Sequence, residues 1–303
     1  MKSQKSKLGF TIIELLVVVG IIGVLVAILL PALDNARASG RNSKCLANQR
    51  SLAQGFAFYA YQNKGQCLPG RPAKIGASTD PRNVYFVGNG RQYRPRWYIR
   101  LGEFTSIHAY DTPSTDPADD NTKTVDNEAV ICPEVPHHIN NRNAAYGYNF
   151  QFLGNTRAHP SRPFMNYPVE YEFLLAHKTV MSADNLGTAA GKPEAQRTEY
   201  RIDGASDLLA VGNHAWSLDP PRLAADSDYC DNKNRSPEHR SAPDRRHRNL
   251  SNFSFIDGHA KSLDPATLGY VQNADGSYVA NGGGAHNEFF SGTGRDDAPP
   301  SIN

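Results

Sequence analysis

Residues 7–30 of this 303-residue chain, KLGFTIIELLVVVGIIGVLVAILL, contain a long apolar run near its start. Residues 10–30 hold 21 positions and a single charge, that of Glu14. An α-helix rises 1.5 Å per residue, so a run of this length covers the roughly 30 Å hydrocarbon core of a bilayer. The stretch therefore predicts a helix that spans a membrane.

A cleaved secretory signal peptide is the first alternative for this segment. The apolar region of such a peptide runs for only about 7–15 residues and is followed by a small-residue cleavage site. Here the apolar run is longer, and the best cleavage position, between Gly9 and Phe10, comes before it. These two differences favour a retained membrane helix.

Glu14 lies one turn inside the apolar run. An ionised side chain in a membrane helix is unfavourable by about 2.5–3.5 kcal/mol at the helix centre and by less near an end. Two interpretations remain open from the residue alone. The carboxylate either reaches the lipid headgroups or meets a positive charge supplied by another chain.

The segment KLGFTIIELL (7–16) resembles the processing site of type IV prepilins and type II secretion pseudopilins. In that family a membrane peptidase cuts after the glycine and methylates the new N-terminal phenylalanine. The resemblance implies cleavage between Gly9 and Phe10, N-methylation of Phe10, and pairing of Glu14 with the Phe10 ammonium of a neighbouring subunit. It implies three partners: a prepilin peptidase/methyltransferase, other pilin-like subunits and the inner membrane.

The segment after the apolar run still has helical periodicity. Leu52, Phe56 and Tyr59 recur at i, i+4 and i+7, and the triplet at 63–65, Asn-Lys-Gly, predicts the helix end. Together with the resemblance, this predicts an α+β, pilin-like fold in which a long N-terminal helix packs on an antiparallel β-sheet head with long loops. The expected parts are a leader (1–9), a transmembrane helix (10–31), the extracytoplasmic half of the helix (32–63), the head (64–265) and an irregular C-terminal extension (266–303).

Within the head, three segments predict strands. Residues 129–133 (AVICP) and 208–211 (LLAV) are short apolar runs, and residues 146–152 carry an aromatic residue at every second position. Residues 84–87 and 97–99 fit either strands or short helical pieces. The head is therefore expected to be rich in loops between short strands.

The sharpest local pattern is NFSFIDGHAKSL at 252–263. Asp257-Gly258 between two alternating runs predicts a two-residue hairpin with a type I′ turn. Pairing outward from that turn gives three expected cross-strand pairs: Ile256 with His259, Phe255 with Ala260, and Phe253 with Ser262.

His247 precedes Asp257-Gly258 with nine residues between them, which resembles a C-terminal signature of bacterial prepilin-like proteins with large domains. A metal or catalytic site at His247, Asp257 and His259 is the functional alternative. A structural turn role for His247, Asp257 and Gly258 is favoured, because Asp257 already serves the turn and no nucleophile stands at a recognisable spacing. We therefore predict no catalytic residues, no metal and no cofactor.

The four cysteines bear on the cross-links and the metal sites that the chain can contain. In the extracytoplasmic orientation Cys45, Cys67, Cys132 and Cys230 can form disulfides, with three complete pairings open. Zinc is not expected, since no cysteine pair has the two- to four-residue ligand spacing.

The charge balance bears on the partners of the chain. Without the three lysines of residues 1–9, Lys+Arg falls from 32 to 29 against 30 Asp+Glu, which does not indicate a nucleic-acid surface.

The resemblance to prepilins implies a structural subunit of a type IV pilus-like or type II secretion pseudopilus filament, and the residues show no catalytic constellation that would indicate an enzyme. The resemblance also implies a single-pass protein of the bacterial inner membrane with its C-terminal domain outside the cytoplasm. The alternative is a minor, filament-associated binding or adhesion protein that uses the same helix. The choice between pilus and pseudopilus stays open.

Overall fold

The computed structural model describes residues 11–70, 97–105, 127–135, 145–156, 165–166, 169–197, 216–224, 227, 229–230 and 236–300. The predicted strand at 208–211 and the ambiguous segment 84–87 lie outside these residues. The chain divides into two compact units, Met1–Arg41 and Asn42–Asn303.

Helix α1 runs over Ile12–Gln62 and continues through Pro31 and Gly40. It ends where the sequence predicts, since Lys64 and Gly65 adopt positive φ angles of 57° and 78°. The amide of Gly65 donates to the carbonyl of Ala60 at 2.8 Å, which satisfies a carbonyl of the last turn. The predicted long helix is confirmed.

The second unit contains a short helix, α2, at Trp97–Thr105. Its strands are β1 Tyr146–Tyr148, β2 Asn155–Thr156, β3 Met165–Asn166, β4 Val180–Asp184, β5 Ser251–Phe255 and β6 Ala260–Leu263. Four of them form an antiparallel sheet with the order β1-β4-β5-β6, and β2 pairs with β3 in a two-stranded antiparallel ribbon. The architecture is α+β and pilin-like, as predicted.

The C-terminal part of α1 packs on the sheet through a helix-side cluster. Phe56 is fully buried there beside Tyr148, with ring centroids 6.2 Å apart. Polar contacts also join helix and sheet. The side-chain amide of Gln49 donates to the Asn252 carbonyl at 3.0 Å, and the Arg50 guanidinium donates to the Ala260 carbonyl at 3.3 Å. The cluster also contains Cys45, Leu52, Trp97, Leu101, Tyr146, Met181 and Ile256.

A second cluster lies on the other face of β5, and the C-terminal residues supply much of it. Tyr270 packs edge-on against Tyr278 and Phe290, with centroids 5.8 and 5.5 Å apart. Strand residues Phe253 and Phe255 belong to the same cluster. Residues 266–300, expected to form an irregular extension, are irregular in structure but lie in the same compact unit as the sheet.

Two strand predictions need correction. Segment 129–133 is not a strand: Glu128–Val130 forms a 3₁₀ turn, capped by the Asn127 side chain, which accepts from the Ala129 amide at 2.8 Å. Asn48 of α1 donates to the Glu128 and Ile131 carbonyls at 2.9 and 3.3 Å, so the helix takes the bonds that a strand partner would use. The strand predicted at 146–152 is confirmed only over Tyr146–Tyr148, after which the chain turns.

The hairpin at 252–263 exists, but its predicted turn and register are wrong by one residue. Strands β5 and β6 pair Phe253 with Lys261 and Ser254 with Ala260. The Gly258 amide donates to the Phe255 carbonyl at 3.0 Å, and Gly258 has φ +95°. This is a three-residue loop whose only positive φ falls on glycine, whereas a type I′ turn would also place Asp257 in that strained region.

The ambiguous segment 97–99 lies in helix α2. Trp97 is fully buried there, and its indole nitrogen donates to the Trp216 carbonyl at 2.9 Å. The Trp97 ring also stacks on Tyr148 of β1 with centroids 5.3 Å apart, so α2 packs against the sheet through this large side chain.

Candidate functional site

The N-terminal part of α1 presents an uncovered apolar surface. Every residue from 11 to 37 is exposed, including Ile12, Leu16 and Ile28 at 82%, 70% and 68% of their full areas. The helix is long and apolar enough to cross a membrane, and its most apolar window has no buried residue. Such a surface requires lipid or other apolar helices as its environment.

Glu14 takes part in a capping box at the start of α1. The Thr11 amide and hydroxyl both donate to Glu14 Oε2 at 2.8 Å, and the Glu14 amide donates to Thr11 Oγ1 at 3.2 Å. A capping box satisfies amides that the first helical turn leaves without partners. Glu14 thus has a role within its own chain, which the sequence reasoning did not consider.

Gly9 and Phe10, the predicted cleavage and methylation residues, lie outside the described residues. Their assignment therefore depends on the sequence pattern. The structure adds that the helix begins at Ile12, with Thr11 as its capping residue.

His247 occupies a tight turn in front of β5. Its amide and carbonyl both bond to Leu250, at 3.0 Å each, and the two intervening residues, Arg248 and Asn249, have φ angles of 53° and 65°. Positive φ at both central positions defines a type I′ turn. The turn type expected at Asp257-Gly258 is therefore found at Arg248-Asn249.

Asp257 and Gly258 form the loop at the other end of β5. Asp257 Oδ1 accepts from the His259 amide at 3.1 Å and lies 2.6 Å from His259 Nδ1. The His259 ring stacks on Phe255 with centroids 4.1 Å apart. Because one turn precedes β5 and one loop follows it, the length of this strand sets the nine-residue spacing from His247 to Asp257.

The imidazole of His247 lies among buried groups from distant parts of the chain. His247 Nε2 is 3.4 Å from Cys132 Sγ and 3.3 Å from Asp184 Oδ2. Cys45 Sγ lies 3.4 Å from Asp184 Oδ1. We call Cys45, Cys132, Asp184 and His247 the buried thiol cluster; its members are at most 4% exposed.

Several groups around this cluster hold it in place. The Asn252 amide of β5 donates to Asp184 Oδ2 at 2.8 Å, and the Tyr146 hydroxyl lies 3.4 Å from Cys45 Sγ. The buried Arg246 guanidinium donates to Asp244 Oδ2 at 2.8 Å and to the Asn185 carbonyl at 2.7 Å. Groups of β5 and β1 therefore contact Asp184 and Cys45, and Arg246 places a positive charge near the cluster.

The local electrostatics differ between the two thiols. A hydrogen bond from Cys45 lowers the pKa of Cys132 to about 6, with a further lowering contribution from His247. Burial raises the pKa of Cys45. For His247, burial lowers the pKa, but hydrogen bonds to Asp184 and Cys132 outweigh it and raise the value to about 9.

Sequence reasoning identified His247 but missed its surroundings. Cys45 lies on α1, Cys132 follows the 3₁₀ turn, and Asp184 ends β4. The separations between these residues match no ligand or catalytic spacing, so only the folded chain brings them together. All four cysteines of the chain are free and buried.

The comparison with protein families bears on the N-terminal segment. Residues 4–30 match the family model of the prokaryotic N-terminal methylation motif. No solved structure matches the chain. With a long N-terminal helix whose C-terminal part packs on an antiparallel sheet, the chain is thus a protein with the prokaryotic N-terminal methylation motif and an architecture consistent with a type IV pilin or pseudopilin.

Proposed function

We propose that the chain is a structural subunit of a type IV pilus-like or type II secretion pseudopilus filament. The observation that carries this proposal is the uncovered apolar surface at the N-terminal end of α1, which overlaps the residues that match the methylation motif. Before assembly the membrane covers this surface, and in the filament the same helices of neighbouring subunits cover it. The role is structural rather than catalytic.

Maturation would proceed through cleavage between Gly9 and Phe10 and methylation of the new terminus by a prepilin peptidase/methyltransferase. The freed Phe10 ammonium of one subunit then pairs with Glu14 of another. In an apolar surrounding an unpaired charge is strongly unfavourable, so the pair favours assembly in one register. The C-terminal unit faces away from the cytoplasm on a single membrane span.

Deletion of the gene followed by electron microscopy of the cell surface tests the filament role. The expected result is loss of filaments, or loss of secretion through an intact outer apparatus if the filament is a pseudopilus. Restoration by the full-length gene is the control. Unchanged filaments, secretion and adhesion in the deletion strain would contradict the proposal.

A further inference from the structure

The buried thiol cluster brings four ligand-type atoms together from four separate segments. One sulfur from Cys45, one sulfur from Cys132, one Asp184 oxygen and one His247 nitrogen all lie within 4.8 Å of one another. We propose that these four side chains form a structural zinc site that joins helix α1 to the sheet. The proposal is independent of the filament role.

The separations within the cluster fit four-coordinate zinc. Zinc binds sulfur at about 2.3 Å and nitrogen or oxygen at about 2.0–2.2 Å, so the corners of a tetrahedral site lie about 3.3–3.8 Å apart. His247 Nε2 lies 3.4 Å from Cys132 Sγ and 3.3 Å from Asp184 Oδ2, and Cys45 Sγ lies 3.4 Å from the other carboxylate oxygen, Asp184 Oδ1. These three contacts have the length of a tetrahedral edge, and all four ligand atoms lie within 4.8 Å of one another, so small side-chain adjustments would bring them around one metal ion.

The chemistry of the set also favours zinc over harder cations. Two sulfurs and an imidazole nitrogen are soft or borderline ligands, whereas calcium and magnesium take oxygen ligands. Four protein ligands leave no open position, which is the arrangement of structural rather than catalytic zinc sites. A divalent cation would also neutralise the thiolates and carboxylate that converge in this buried place.

A cysteine–histidine–aspartate catalytic group is the competing interpretation, and its geometry does not fit. In such a triad the nucleophile and the carboxylate bond to opposite nitrogens of the imidazole. Here Cys132 and Asp184 both approach Nε2, while Nδ1 has no hydrogen-bond partner among the described residues. Convergence on one nitrogen is what a shared metal produces.

A Cys45–Cys132 disulfide is the second competitor, since disulfides persist outside the cytoplasm. It would use both sulfurs and remove them from the ligand set. It would also leave Asp184 and His247 without the two thiols as neighbouring ligands. The two states are mutually exclusive, which makes them easy to distinguish.

The test uses the full-length chain purified in detergent without chelators, with zinc measured by inductively coupled plasma mass spectrometry. We expect one zinc per chain in the wild type and background zinc in Cys132→Ser and Asp184→Asn. Cys67→Ser is the matched control, because Cys67 is also a buried free cysteine but does not belong to the buried thiol cluster, so the zinc content should stay unchanged. A chelator should lower the Tm of the wild type and leave that of Cys132→Ser unchanged.

Cobalt substitution of the wild type provides a readout that does not depend on the folding of any variant. Apoprotein titrated with Co²⁺ should develop thiolate-to-cobalt charge-transfer bands and the strong visible bands of tetrahedral cobalt, saturating at one equivalent. Absence of zinc in the wild type together with absence of these bands would overturn the proposal. So would a Cys45–Cys132 disulfide found by mass spectrometry of the unreduced protein.

Discussion

Glu14 has a hydrogen-bond partner in its own chain, and the proposed filament gives it a charged partner in a neighbouring subunit. Within the chain its carboxylate accepts from the amide and hydroxyl of Thr11. In the proposed filament it meets the Phe10 ammonium of another subunit. One carboxylate has two oxygens and can serve both, because the capping bonds use only Oε2.

Replacement of Glu14 by glutamine separates these two roles. Glutamine keeps an oxygen that can accept from the Thr11 amide, but it has no charge to pair with an ammonium. We expect Glu14→Gln and Glu14→Leu both to insert into the membrane and both to lower filament yield at least about tenfold, as loss of a buried charge partner predicts. The measurement is sheared-filament yield beside the membrane-bound pool.

Thr11→Val serves as the matched control, because it removes the hydroxyl bond to Glu14 and retains the charge. Its filament yield should stay close to that of the wild type. Wild-type yield in Glu14→Gln would show that capping alone explains the carboxylate, and the charge-pairing role would be wrong.

Gly269 and Gly282 provide a second comparison at the scale of single residues. Both have positive φ, 92° and 85°, which strains any other residue. A Cβ at Gly269 would lie 2.1 Å from the His286 carbonyl oxygen, whereas a Cβ at Gly282 meets nothing within 4 Å among the described residues. The two positions therefore share backbone strain and differ in steric clash.

We expect Gly269→Ala to lower the free energy of unfolding by about 1–3 kcal/mol more than Gly282→Ala, the range for forced overpacking. Urea unfolding of the full-length protein in detergent, followed by tryptophan fluorescence, measures both. Equal losses would mean that residues 266–300 do not pack as described.

Among the elements, α1 was predictable and the sheet only in part. The spacing of Leu52, Phe56 and Tyr59 predicts the buried helical face, and all three residues are buried. The strand predicted at 129–133 does not form, because the Asn48 and Asn127 side chains make hydrogen bonds that favour a turn. Such bonds depend on which helix lies nearby, so local sequence does not reveal them.

The hairpin shows how a correct pattern can lead to a wrong register. The Asp-Gly pair marks the turn, yet both a two-residue and a three-residue loop accept it. The three-residue loop keeps Asp257 at negative φ and buries Ile256 fully in the helix-side cluster. Tertiary burial thus decided between two turns that the sequence alone leaves nearly equal.

Helix packing on the sheet is testable with two phenylalanines that are two positions apart. Phe56 is fully buried against Tyr148 and Tyr171, whereas Phe58 is 58% exposed. We expect Phe56→Ala to lower the free energy of unfolding by about 3–5 kcal/mol, because it leaves a cavity in the core. Phe58→Ala should change it by about 0.5 kcal/mol or less.

Limited proteolysis of the two variants in detergent supplies an independent measurement of the same difference. Phe56→Ala should be cleaved within the second unit much faster than the wild type, and Phe58→Ala at the wild-type rate. Similar cleavage of both variants would contradict the packed helix face.

At the scale of the whole molecule, the N-terminal motif can be recognised from the sequence, whereas the contacts of the second unit can be identified only from the folded structure. Residues 4–30 carry a pattern of fixed spacing, which is why they could be interpreted from the sequence. The buried thiol cluster joins residues up to about 200 positions apart, from Cys45 to His247, and has no such pattern. The glycines and prolines of the C-terminal residues predict an irregular extension, yet the aromatic side chains of this segment belong to the second hydrophobic cluster.

The mass of the N-terminal peptide of the purified protein shows whether the chain is processed at Gly9-Phe10, the step on which the filament role depends. We expect a chain that begins at Phe10 with one added methyl group, and an unprocessed chain in a variant with a bulky residue at position 9, such as Gly9→Val. A wild-type protein that still begins at Met1, or a Gly9→Val chain that matures normally, would contradict it.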